Sequence, residues 1–332
     1  MKSQTEPMIS VIIPCYNQGQ YINQAVQSVL NQTYQNFEII IIDDGSTDKK
    51  TQNLLKNYDR LKTKVYRTKN QGASNARNYG YSLARGGFIQ FLDADDFLDK
   101  NKFKEQIGIF ERDKKVDICY TNYKYYIEET GEYHKPYLPV KLTNNPLQDF
   151  LYRWQRDLSI PIHSAMFKKS LWKGSKPFIE GFGVAEDWIM WTKLANQGCQ
   201  FFLLNKERAF YRIHTKSMTH RKDYVIYWAT RAIAYIAENI VGREEIEKYN
   251  IVSEKYLQQL INELYLNEKN SEIEVYKYRL NEIYKSFSWQ ISLPIRILEK
   301  FVNLVKKQGF FITLRNIFFK IYKKITNSEE HL

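Results

Sequence analysis

The first hundred residues alternate between two hydrophobic periods. Ile9, Val11, Ile12 and Ile13, interrupted only by Ser10, form an apolar run stopped by Pro14. This pattern predicts a buried strand. Tyr21, Ile22, Ala25, Val26, Val29 and Leu30 then recur at spacings of three and four, which predicts an amphipathic helix. Phe37 to Ile42 is a second apolar strand, stopped by the turn-rich cluster Asp43-Asp44-Gly45-Ser46, which can also cap a helix. Val65-Tyr66 reads as a short strand and Ala73 to Ala84 as a helix ended by Arg85-Gly86-Gly87. Phe88 to Leu92 reads as a strand running into Asp93. Alternating strands and helices predict an α/β fold with a mostly parallel sheet and crossover connections. Ligands of such sheets bind beyond the carboxyl ends of the strands. Three of those ends are polar here: Cys15-Tyr16-Asn17, Asp43-Asp44 and Asp93 to Asp96.

The pattern loosens after residue 116. Asp117 to Tyr126 reads as a strand, Tyr133 to Asn145 as a proline-containing connection, Ala185 to Ala195 as a helix and Phe201 to Arg212 as one or two strands. This half is expected to complete the same domain, over residues 8–220. Residues 221–285 read as a helical extension of mixed charge, followed by the break at Leu293-Pro294. Residues 286–327 are expected to form a basic amphipathic tail. Between Lys285 and Lys324 stand nine Lys or Arg against one acid, Glu299. Phe310, Phe311, Leu314, Ile317, Phe318, Ile321, Tyr322 and Ile325 fall on one helical arc, with Arg315, Lys320, Lys323 and Lys324 at its edges or opposite. That distribution suits an interfacial helix on an anionic membrane surface, or a helix packed on its own domain with a solvated basic face.

Composition narrows the partners. The net charge of +12 asks for an anion: nucleic acid, acidic membrane or phosphorylated substrate. The continuous apolar face of the tail argues against a nucleic-acid arm. Cys15, Cys119 and Cys199 are odd in number and widely spaced, which disfavours a disulfide framework or a zinc site. Met1 to Pro7 lacks an apolar signal core, and no run of about 18 apolar residues suggests a span. A cytoplasmic protein, peripherally associated with the inner face of the membrane, is expected.

The polar clusters carry the chemistry. Three carboxylates in Asp93-Ala94-Asp95-Asp96 repel one another unless a cation lies between them, and hard oxygen ligands suit magnesium or manganese. The same cluster also suits a solvated turn, with Asp96 capping a following helix. Asp44 can accept hydrogen bonds from a base or ribose, or cap a helix, and Tyr16 can stack on a base. Arg77, about one turn into a helix that follows Gly72, can face a phosphate, the acidic cluster or a helix neighbour. Glu186-Asp187 opens an aromatic-rich helix, where a carboxylate serves as a general base or simply complements the helix dipole. His214 is a candidate metal or phosphate ligand, or a structural histidine. His134, His163, His220 and His331 have weaker contexts.

In their order and spacing these elements resemble the family 2 glycosyltransferases over residues 8 to about 215. The matching stretches are Val11 to Asn17, Gln32-Thr33-Tyr34, Phe37 to Asp48, Asn70-Gln71-Gly72 with Ala76-Arg77-Asn78, Phe91 to Asp96, Glu186-Asp187, and Tyr211-Arg212 with His214. The resemblance implies a GT-A nucleotide-binding fold followed by a helical C-terminal region. It implies an inverting transfer of one sugar from a nucleotide-diphosphate donor, a UDP-sugar being favoured, with Mn2+ or Mg2+ as cofactor. Pro14, Tyr16, Asp44, Arg77, Asp93 and Ala94 would contact the nucleotide. Asp95 and His214 would hold the metal. Asp187 would deprotonate the acceptor hydroxyl, with Glu186 orienting the acceptor. Ser286 to Arg296 resembles a tail element of members that build bacterial surface polysaccharides, which implies a lipid-linked or glycan acceptor. The competing expectations are an inactive nucleotide-sugar-binding partner subunit and a nucleotidyltransferase. The latter would need a basic Gly-rich loop where Cys15-Tyr16-Asn17-Gln18-Gly19 stands.

Overall fold

The structure is a computed structural model that describes residues 7–154, 158–215 and 222–241. The extension beyond residue 241, the Ser286 to Arg296 segment and the basic tail lie outside the described residues.

Strands β1 (Ile9–Cys15) and β2 (Phe37–Asp43) are buried at every position, as expected for strands covered on both faces. β1 pairs in parallel with β2 and with β4 (Phe88–Phe91), and β2 in parallel with β3 (Thr63–Arg67). The sheet continues through β8 (Ala165–Lys168), β6 (Ile118–Ile127), β9 (Phe201–Ile213) and the two-residue β5 (Phe97–Leu98), while β7 (Glu132–His134) pairs only with β6. The longest ladders, β1–β2 and β6–β9, are parallel, and antiparallel pairs join the two parallel portions. The expected mostly parallel α/β sheet is present. Phe201 to Arg212 forms one strand with irregular register opposite Thr121 to Tyr123, not two. The expected connection from Tyr133 starts inside β7 and leads into α5 (Pro146–Tyr152).

The helices α1 (Ile22–Leu30), α3 (Ala73–Leu83) and α6 (Glu186–Asn196) match the expected periodic segments. Three helices have no counterpart in the sequence reading, α2 (Lys49–Lys56), α4 (Lys102–Arg112) and α5. The cap of α2 is Asp48, whose carboxylate accepts from the Thr51 N–H, so the Asp43 to Ser46 cluster is free of that task. Helix α7 (Lys222–Asn239) packs against α6.

Helix α3 lies close on β1 and β2 because Gly80 has no side chain. A Cβ there would fall 2.4 Å from Ile12 Cγ2 and 3.4 Å from Ile42 Cγ1. The approach matters because Arg77 is carried on the same helix. Under α4, Lys102 is fully buried, with its ammonium donating to the side-chain oxygens of Gln90 and Gln106. It has no carboxylate partner among the described residues, and burial pulls its pKa down to about 7.

Two outcomes follow. Gly80→Val should lower unfolding stability in urea by about 1–3 kcal/mol, from overpacking against Ile12. An unchanged midpoint would contradict the close approach. For Lys102, the folded pKa lies below the unfolded value of about 10.4, so between about pH 7 and 10 the unfolded chain binds the extra proton. The stability of wild type relative to Lys102→Met should therefore rise across that window. A flat difference would show that the amine stays charged in the core.

Candidate active site

The strand register assembles the site at one sheet edge. Cys15 lies opposite Asp43, Asp43 opposite Arg67, and Ile12 opposite Phe91. The segments that leave these strands therefore emerge side by side. Asn17 ties the first to the second: its side-chain oxygen accepts from the Thr47 and Asp48 N–H groups, and its own N–H donates to Ser46 Oγ. Asp43 turns inward, accepting from the Ser46 N–H and pairing with Arg67 at 2.9 Å.

Asp44 is buried, and both its oxygens are engaged within the chain. Oδ1 accepts from Thr68 Oγ1 at 3.2 Å and the Gln71 N–H at 3.0 Å, and Oδ2 accepts from the Gly72 N–H at 2.8 Å. The carboxylate thereby folds residues 68–72 over the end of β2, and Oδ2 keeps one free lone pair for a ligand. Tyr16 is 42% exposed and its ring is open to stacking, whereas Pro14 and Ala94 are buried.

Arg77 links the end of β4 to the start of α6. It is 4% exposed, and its guanidinium donates to Asp93 Oδ1 and to Glu186 Oε1, each at 2.6 Å. Burial opposes its charge, but the two carboxylates outweigh that and raise its pKa. Arg77 thus faces the acidic cluster and reaches α6.

On the other flank, His214 Nε2 stands 3.1 Å from Asp95 Oδ2, with its ring against Tyr21 at 4.8 Å. The expectation that Asp96 caps a helix is incorrect. Asp96 is buried and is followed by β5; its Oδ1 accepts from the Arg212 N–H and its Oδ2 lies 2.8 Å from His163 Nδ1. That second contact has ion-pair distance without an aligned hydrogen bond. His163 was weakly placed by sequence because its partner lies on a distant segment.

Asp187 stands at the start of α6, preceded by Ala185 in a left-handed conformation, φ 67°. Such backbone strain in a non-glycine residue is held by its surroundings and is frequent at functional sites. Desolvation first, then the neighbouring Glu186 charge, push the Asp187 carboxyl up to about 7. Arg77 is already committed to Asp93 and Glu186, so Asp187 is left with the Trp188 N–H as its hydrogen-bond donor.

Among the described residues, no group of three or more His, Cys, Asp or Glu side chains is set to hold a metal ion. Asp95 and His214 supply one carboxylate oxygen and one imidazole nitrogen. That donor pair fits Mn2+ or Mg2+ bound with few protein ligands, completed by substrate phosphates and water.

The profile of glycosyl transferase family 2 matches residues 10–174. An uncharacterized glycosyltransferase of Haemophilus influenzae is 42% identical over 122 residues, which cover 36% of this chain and 48% of the relative. The chain thus aligns with about half of that relative's length. The Escherichia coli UDP-Glc:alpha-D-GlcNAc-diphosphoundecaprenol beta-1,3-glucosyltransferase WfaP is 31% identical over 216 residues, covering 65% of this chain and 81% of WfaP. The crystal structure of S. aureus TarS 1–349 in complex with UDP-GlcNAc superposes with a TM-score of 0.58, covering 91% of this chain and 88% of TarS. At 18% identity that likeness establishes the fold, which is of the GT-A type. With this fold, and with most of WfaP's length matched, the chain belongs to glycosyl transferase family 2.

Proposed function

We propose that the chain transfers one sugar, with inversion, from a UDP-sugar to a hydroxyl of a lipid-linked or glycan acceptor. The observation that carries this reading is the division of labour among the acids. Arg77 pairs with Asp93 and Glu186, and Asp187 is left without an ion-pair partner among the described residues, with a pKa near neutrality. A base of that pKa accepts a proton efficiently at neutral pH.

In the proposed step the acceptor oxygen attacks the anomeric carbon while the bond from that carbon to the diphosphate oxygen breaks. The hydroxyl proton passes to Asp187, and the electron pair leaves with the diphosphate. Glu186, fixed by Arg77, orients the acceptor. Tyr16 and the free lone pair of Asp44 serve the base, and Asp93 serves the ribose. Asp95 and His214 would hold Mn2+ or Mg2+, which supplies positive charge for the leaving diphosphate when bound. WfaP, whose name gives UDP-Glc as donor and a diphosphoundecaprenol-linked sugar as acceptor, supports the UDP-sugar and lipid-linked parts of this reading. The basic tail, with eight net positive charges between Lys285 and Lys324, supports contact with the anionic inner face of the membrane.

A panel of nucleotide sugars with Mn2+, scored by release of nucleoside diphosphate, should give turnover with a UDP-sugar. Nucleotide binding without turnover on any donor or acceptor would favour an inactive partner subunit. For the base, kcat/KM should rise as pH increases through about 7, because only the deprotonated Asp187 accepts a proton. Asp187→Asn should lower kcat by about 100-fold or more and leave nucleotide affinity nearly intact. Wild-type rates in that variant would remove the base assignment.

A further inference from the structure

We propose that Arg212 is a positioning residue that sets the Asp95–His214 pair in register for a cation; this rests on the metal reading above. Arg212 is 4% exposed at the end of β9. Its Nε donates to the Asp95 carbonyl at 2.7 Å, its backbone N–H donates to Asp96 Oδ1 at 2.9 Å, and its Nη2 donates to Gln24 Oε1. Two residues further on, His214 meets the Asp95 side chain. Asp95 is thus held at its backbone by Arg212 and approached at its carboxylate by His214, both from one strand end.

The guanidinium lies among Tyr21, Tyr126 and Phe97, with ring centroids at 5.0, 4.9 and 5.5 Å. Its nearest carboxylate outside the 95–96 segment, Glu128, is 3.7 Å away. That ion pair is long and its acid is 37% exposed, so it adds little stability, and stability alone explains this buried arginine poorly. The fork is the useful property, because it reaches the Asp95 carbonyl and Gln24 together. A lysine ammonium is a point donor and cannot reproduce that geometry. Tyr21 completes the support, since it packs on both Arg212 and His214 and donates through its hydroxyl to Glu128.

The test is Mn2+ binding to the full chain in the presence of UDP, followed by the electron paramagnetic resonance signal of free Mn2+, with near-ultraviolet circular dichroism as the check on folding. Wild type should bind, and Asp95→Asn should lose binding. Arg212→Lys should weaken affinity about 10-fold or more, in the range seen for groups that orient metal ligands. Raised Mn2+ should restore turnover in Arg212→Lys and not in Asp95→Asn. If Arg212→Lys binds Mn2+ within twofold of wild type while Asp95→Asn has lost it, the positioning role is wrong and the metal reading stands. If wild type and Asp95→Asn behave alike, the metal reading fails and takes this inference with it. Should Arg212→Lys not fold, Gln24→Ala decides at an exposed position: a severalfold loss of Mn2+ affinity supports the role, and unchanged affinity overturns it.

Discussion

The buried bridge from Asp93 through Arg77 to Glu186 is the constraint around which the site is organised. It joins the end of β4 to the start of α6 through a side chain carried on α3, with both contacts at 2.6 Å. Breaking such a pair by removing one partner leaves buried charge uncompensated and costs about 3–5 kcal/mol. Arg77 can make this bridge only because α3 is seated closely on β1, and that seat depends on Gly80. A packing detail and an electrostatic one are therefore the same feature viewed at two scales.

The bridge also sets the sign of what remains. Arg77 pairs with Asp93 and Glu186, and among the described residues neither the Asp95 nor the Asp187 carboxylate has an arginine or lysine ion pair. The chain carries +12 overall, yet this edge of the sheet is locally anionic. On the proposed reading, a diphosphate approaching Asp93 and Asp95 would meet like charge, and a divalent cation on Asp95 and His214 would remove that conflict. The same local excess, with desolvation, raises the pKa of Asp187. On the proposed reading, cation binding and the basicity of Asp187 would draw on one charge imbalance.

The sequence discloses the half of the fold whose strands are continuous apolar runs. β1, β2 and β4 are visible because both faces are buried, and α1 and α3 because their periodicity is regular. The acids are visible because charge at a strand end is conspicuous. Long-range partners are not. Nothing around Asp96 announces His163, and a helix cap is the local reading of an acid after a turn. Lys102 would be read as a solvated helix residue, but it is fully buried and satisfied by two glutamines from different elements. Arg212 stands in a recognisable stretch, yet its contact with the Asp95 carbonyl depends on how β9 closes against the 93–96 segment. Local pattern fixes which residues are polar; the closing of the sheet decides what they touch.

The position of α7 extends that point to Asp187. A Cβ on Gly183 would fall 2.0 Å from Tyr224 Oη and 2.5 Å from Trp228 Nε1, so the chain just before Asp187 lies directly against α7. Phe182 adds ring contacts with Trp228 and Tyr235 at 5.6 and 5.8 Å. The left-handed turn at Ala185 is thus braced from outside by a helix that begins after the last matched motif. Since strained backbone persists only when its surroundings over-determine it, α7 is part of what holds Asp187 in place. Helix α7 therefore belongs to the same compact unit as Asp187.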